Sequence, residues 1–193
     1  LACTRCRVCE GGGDRARNHC PERTVLGILG KHGTYAEYLT LPCRNLHVVP
    51  DNVTDAAAVF AEPLAAACRI VEQGLVPPDA NAAVLGDGKL GLLVAEVLAR
   101  RATAATTDAG TVGTTTLIGR HKEKMDMCCG RPASAAAGGE GGTCSGAGAP
   151  PPLIRVHAQE DQTRLAGTFD VVVDATGSPH GLAAASELCR PLG

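Results

Sequence analysis

Aromatic side chains make up only 2% of the chain (Tyr35, Tyr38, Phe60 and Phe169), and Trp is absent. Platforms on which bases or sugar rings could stack are therefore few, and any core must be built from Ala, Val, Leu and Ile. Positive charge is not in excess. Lys and Arg number 18 against 20 Asp and Glu, a formal net charge of −2. A phosphate backbone would find no electrostatic footprint here, so nucleic acid is not an expected partner. No apolar run reaches the roughly 18 residues that span a bilayer, and no basic-then-apolar leader opens the chain. A soluble, cytoplasmic protein away from the membrane is expected. The first residue is Leu1, not Met, and a cysteine cluster begins at Cys3. This reads as a chain entered in mid-domain, with its N-terminus, and any targeting peptide, missing.

What is present begins with cysteine. Of the ten cysteines, Cys3, Cys6, Cys9 and Cys20 crowd into a segment, residues 1–23, that is rich in Gly and Arg and has almost no apolar side chains. Such a segment cannot fold around its own core and needs a cross-link or a metal. Two-residue spacings let successive sulfurs bind one ion, and the longer interval to Cys20 closes the loop. Four sulfurs with no open position describe a structural zinc site. A set of reduced or disulfide-paired cysteines without metal is the alternative, and a zinc-ribbon module for nucleic acid is another. The triple spacing and the acidic Glu10, Asp14 and Glu22 among the arginines disfavour the ribbon.

From Thr24 the pattern changes. Val25 to Leu29 is an apolar run, and residues 34–41, ended by Pro42, have strand composition. Residues 54–73 are Ala-rich at helical spacing, with a helix start predicted near Pro63. Strands and helices then alternate: strands at Ala82 to Leu85, Thr114 to Ile118, Leu153 to Val156 and Phe169 to Asp174, with helices at Leu92 to Arg100, after His121, and at Gly181 to Arg190. This alternation predicts an α/β fold, a parallel sheet with helices packed on it. Residues 102–113 read as a loose connection. In residues 130–152 all but Arg131, Glu140, Thr143 and Cys144 are Gly, Ala, Pro or Ser, and this segment is predicted to be disordered.

Between the first of these strands and its helix stands Gly86-Asp87-Gly88-Lys89-Leu90-Gly91. In this context Gly86 permits the tight turn and Gly88 lets the backbone approach a pyrophosphate. Gly91 allows helix and strand to pack closely, with the helix N-terminus facing the phosphates, and Lys89 and Leu90, between the second and third glycines, are counted among the cofactor-binding residues. A dinucleotide is the expected ligand. At the end of the second strand an NAD-binding domain usually offers a carboxylate to the adenosine ribose. Here the chain offers Gly119-Arg120-His121 instead. A guanidinium without a carboxylate suits a ribose 2′-phosphate, so NADP is preferred over NAD, with Arg120 and His121 as cofactor-binding residues. A merely solvated basic helix start is the plainer reading of the same residues.

Taken together these residues resemble the zinc-dependent medium-chain alcohol and polyol dehydrogenases, in their sorbitol and threonine dehydrogenase-like branch. The cysteine lobe is similar to that family's structural-zinc loop, although the interval before Cys20 is longer than usual there. Residues 18–21, 24–28 and 33–38 resemble the passage from the lobe back into the family's catalytic domain. Phe60-Ala61-Glu62-Pro63-Leu64 resembles its Glu-Pro-Leu segment, and Phe169 to Ser178 its fourth nucleotide-domain strand and following loop, where Thr176 approaches the cofactor. The resemblance implies a partial GroES-like catalytic domain with the zinc lobe over residues 1–59, and an incomplete Rossmann domain over 60–193. It also implies that Glu62 stands beside a catalytic zinc, directly or through a water. That zinc further needs a cysteine and a His-Glu pair, which the family carries upstream of the lobe and which this sequence does not contain. The implied parent enzyme transfers a hydride between an alcohol or polyol and NADP, with homo-oligomers common in the family. This chain alone is expected to turn over little or nothing. Two other classes stay open: a non-catalytic module binding nucleotide and zinc, and a zinc-only interaction module.

Overall fold

The computed structural model describes residues 1–12, 16–77, 79–104, 113–128, 131–132, 153–158 and 162–191. The chain divides into two compact units, Leu1–Asn52 and Val53–Gly193.

In the first unit a short helix α1 (Arg7–Gly11) follows the first two cysteines, and two-residue strands β1 (Val25–Leu26) and β2 (Gly30–Lys31) flank a turn. Of the two glycines that bound this turn, Gly27 has φ +70° and Gly30 φ +60°, the left-handed region open to a residue without Cβ. The strand expected over residues 34–41 does not form. Tyr35 and Tyr38 are fully exposed there, and no strand among the described residues pairs with the segment. Strand composition without a neighbouring strand leaves the backbone to water.

In the second unit Thr54 caps α2 (Asp55–Ala58) by accepting from the Ala57 N–H, and α3 (Ala61–Glu72) carries Pro63 in its first turn, as predicted. There follow β3 (Ala82–Leu85), α4 (Lys89–Ala104), β4 (Thr115–Gly119), α5 (Lys122–Met125), β5 (Arg131–Pro132), β6 (Leu153–His157), α6 (Gln162–Leu165), β7 (Val171–Asp174) and α7 (Pro179–Leu188). α4 runs on past Arg100 to Ala104, so the first residues of the expected loose connection, 102–104, are helical, and residues 105–112 of that connection lie outside the described residues. The disorder expected over 130–152 falls outside the described residues except at 131–132, which pair with β6.

The sheet is parallel throughout, in the order β5-β6-β4-β3-β7. Its central strands β3 and β4 are buried along their whole length, as a parallel sheet covered on both faces requires. Side chains alternate between two cores. Val84 and Leu117 point to one with Val94, Leu98 and Leu153; Ala83, Leu85 and Ile118 point to the other with Val156, Phe169 and Leu188. This is the α/β arrangement the alternation of strands and helices predicts. The chain leaves β3 for β4 and β6 on one side and returns to β7 on the other, so the strand order reverses between β3 and β7. In open α/β sheets ligands bind outside the carboxyl ends of strands at such a point.

Candidate cofactor cleft and metal centre

At the carboxyl ends of β3, β4 and β7 lies a cavity of about 480 Å³. Gly86 closes β3 with φ +116°, and a Cβ there would stand 2.9 Å from the Ala175 carbonyl, so the turn and the close approach of the β7 end both require glycine. A Cβ on Gly91 would meet the Gly86 carbonyl oxygen at 2.0 Å, which places the start of α4 hard against the turn. Gly88 differs: nothing lies within 4 Å of its missing Cβ. Its backbone faces open space at the beginning of a sixteen-residue helix, whose first amide groups have no intrahelical acceptor. The tight turn at Gly86 and the close helix–strand packing at Gly91 are thus seen directly, and Gly88 leaves its side of the turn open.

Gly86, Gly88, Arg120, His121 and Thr176 all border the cavity, together with Asp87, Ser178 and His180. Lys89 and Leu90 are exposed on the first turn of α4 and Gly91 is buried beneath it; none of the three borders the cavity. Thr176 is held in place by Asp174, whose Oδ1 accepts from the Thr176 amide at 2.9 Å and from its hydroxyl at 2.7 Å. The Thr176 hydroxyl in turn accepts from the Ser178 amide at 3.1 Å.

The sequence offers Gly119-Arg120-His121 and no carboxylate at the end of the second strand. The structure corrects this: Asp87, from the middle of the glycine turn, reaches that strand end. Its Oδ2 accepts from the backbone N–H of Arg120 at 2.8 Å and of His121 at 2.5 Å, and lies 2.9 Å from His121 Nδ1. Gly119 makes the room, since a Cβ there would stand 2.6 Å from Asp87 Cβ. Burial raises the Asp87 pKa, but the His121 amide and ring and the Arg120 amide outweigh it and hold the carboxyl below its usual range. The available signal was an acidic residue between the first two glycines and a glycine where the strand ends. The Arg120 side chain is exposed, and His157 Nε2 lies 2.9 Å from the Arg120 carbonyl.

In the first unit the sulfurs of Cys3, Cys6, Cys9 and Cys20 all lie within 4.8 Å of one another. Cys3 and Cys9 are 4.0 Å apart and Cys6 and Cys20 3.9 Å. Zn–S bonds of about 2.3 Å in a tetrahedron put sulfurs about 3.8 Å apart, so the donor set fits zinc. Thr4, at φ +67°, bends the chain between Cys3 and Cys6. Burial pushes the Cys9 thiol up to about 12. The Cys3 N–H, 3.4 Å from Cys20 Sγ, pulls Cys20 down to about 7. Among the described residues this is the one cluster of three or more groups able to hold a metal. Glu62 is exposed in the first turn of α3, outside that cluster. Among the described residues no helix is long and apolar enough to cross a membrane.

No family model matches the chain. The starvation-sensing protein RspB of Escherichia coli K12 is 32% identical over 100 residues, covering 51% of this chain and 28% of that protein. The L-threonine 3-dehydrogenase of Yersinia enterocolitica is 34% identical over 98 residues, 50% of this chain and 27% of that enzyme. Among solved structures, alcohol dehydrogenase TADH from Thermus sp. ATN1 superimposes with a TM-score of 0.67 at 25% identity. A zinc-binding dehydrogenase of Sinorhizobium meliloti bound to NADP gives 0.70 at 21%, and an rspB alcohol dehydrogenase of Escherichia coli CFT073 with NADH gives 0.68 at 20%. Each covers all of this chain, which spans about half of theirs: 52% for the first and 50% for the other two. The threonine dehydrogenase and the three solved structures are dehydrogenases, and the fold is that of the medium-chain, zinc-type alcohol dehydrogenases, a Rossmann and GroES-like fold of which this chain spans about half.

Proposed function

We propose that the chain is the structural-zinc and cofactor-binding portion of a zinc-dependent oxidoreductase that transfers a hydride between an alcohol or polyol and a nicotinamide dinucleotide. The observation that carries this reading is the meeting of the glycine turn, the β4 end and the β7 end around one cavity at the point where the strand order reverses. The pyrophosphate would lie over Gly88 at the α4 N-terminus, where unpaired amides and the helix dipole favour anions. Lys89, Leu90 and Gly91 supply amides of that first turn, and Thr176, fixed by Asp174, supports the cofactor from the β7 side. Arg120 would pair with a 2′-phosphate, with His121 beside it, so NADP is preferred over NAD.

Cys3, Cys6, Cys9 and Cys20 would hold a structural zinc that replaces the apolar core the lobe lacks, its binding free energy serving as folding free energy. Glu62 is proposed to stand beside the catalytic zinc of the complete enzyme, a Lewis acid toward the alcohol or carbonyl oxygen. The substrate is a small alcohol or polyol. A titration of the purified chain with NADPH and NADH, followed by cofactor fluorescence, tests the reading. Saturable binding below about 1 mM, tighter for NADPH, is the expected result; binding of neither would refute it.

A second reading, a non-catalytic module binding nucleotide and zinc, is favoured by one observation. The metal-ligating cluster among the described residues has four sulfurs and no open position. Both readings expect little or no turnover from these 193 residues, and alcohol oxidation over a panel of alcohols and polyols would argue against both.

A further inference from the structure

We infer that Asp87 is a second determinant of cofactor choice, accepting a hydrogen bond from the adenosine ribose 2′-hydroxyl of the unphosphorylated cofactor. This rests on the reading of the cavity as a dinucleotide site. A carboxylate commonly reaches the ribose from the end of the second strand. Here that end is Gly119, and the space its side chain would fill is taken by Asp87, whose Cβ and Cγ stand 2.6 and 2.9 Å from where a Gly119 Cβ would be. The acid has in effect been moved from the strand end to the glycine turn, within the same cavity wall.

The hydrogen bonds decide which oxygen is used. Three donors from Arg120 and His121 converge on Oδ2 and fix the orientation of the carboxylate. Those contacts leave Oδ1 out, on a residue that borders the cavity, and a carboxylate so held accepts a ligand hydroxyl without further ordering of its own side chain. A 2′-phosphate at the same place meets a negative charge, which Arg120 must overcome. Asp87 and Arg120 thus act in opposite senses: Asp87 retains NAD(H), while Arg120 draws in NADP(H).

Two measurements test this on the full chain. In the unmodified protein, ADP is expected to bind about tenfold more tightly than 2′-deoxy-ADP, because loss of the hydroxyl removes a hydrogen bond to a charged acceptor. Equal affinity would overturn the assignment without any variant being made. Secondly, Asp87→Asn, which keeps an acceptor for the two backbone amides, is expected to weaken NADH about tenfold while NADPH holds or tightens. Retained NADPH binding shows that the variant is folded. Equal loss of both cofactors would make Asp87 a fastening for the turn and overturn the proposal. Failure of the unmodified chain to bind any of these nucleotides would overturn the cavity reading itself.

Discussion

Asp87 Oδ2 stands 2.8 Å from the backbone nitrogen of Arg120, tying the middle of the glycine turn to the residue just past β4. The main chain of Arg120 is thereby fixed from below while its side chain stays exposed. A guanidinium on an anchored backbone can pair with a 2′-phosphate at less entropic cost than one on a mobile loop. Arg120→Ala is therefore expected to weaken NADPH by about tenfold or more and leave NADH within about twofold. Parallel titrations of the two cofactors read this directly, and an equal effect on both would remove Arg120 from cofactor choice.

The same carboxylate gives the fold an acid-sensitive fastening. The folded pKa of Asp87 lies below the ordinary carboxylate value, since the Arg120 and His121 donors outweigh burial. A group depressed in this way contributes its stability above the unfolded pKa of about 3.9 and loses it as pH falls through the folded value. Stability of the second unit is thus expected to be level with respect to Asp87 from neutral pH to about 5, and to decline below about 4. Asp87→Asn should flatten that decline. Urea unfolding followed by circular dichroism at a series of pH values measures the slope, and identical slopes for the two proteins would count against the fastening.

Much of the second unit was legible because its strands are short apolar runs bounded by turn residues. Val84-Leu85 leading into Gly86 identifies a strand, a turn and a helix within ten residues, and the structure puts them there. The Asp87 contact was not legible, because periodicity says which face a strand residue takes but not how far a turn side chain reaches. It joins residues 33 and 34 positions apart, and only the register of β3 with β4, Leu85 opposite Ile118, brings those ends together. The segment around Tyr35 and Tyr38 erred the other way. Alternation and β-propensity describe a residue's fitness for a sheet, and here no described strand supplies the sheet. The cysteine lobe was legible from spacing alone, because chelation demands so few geometric conditions.

Zinc in that lobe is expected at one ion per chain by elemental analysis of the purified protein. Cys9→Ser exchanges a buried thiolate for a poorer ligand and should lower the stoichiometry well below one. Because residues 1–23 have little apolar surface, chelation should unfold the lobe. The second unit has its own two cores, so NADPH binding is expected to survive chelation. Loss of cofactor binding together with the metal would contradict that independence.

Gly91 and Gly88 separate fold from function within one turn. A methyl on Gly91 would lie 2.0 Å from the Gly86 carbonyl oxygen, and backbone cannot rotate aside as a side chain does. Gly91→Ala should therefore cost about 1–3 kcal/mol by overpacking, seen as a lower urea midpoint. Gly88→Ala meets nothing within 4 Å and lies at the start of a helix, so stability should hold or rise slightly. Its methyl would instead project into the space proposed for the pyrophosphate, and both NADH and NADPH should weaken together, by about tenfold, with their ratio unchanged. That common loss is the opposite of the ratio changes expected at Asp87 and Arg120. A Gly88→Ala variant that binds both cofactors normally would place the pyrophosphate elsewhere.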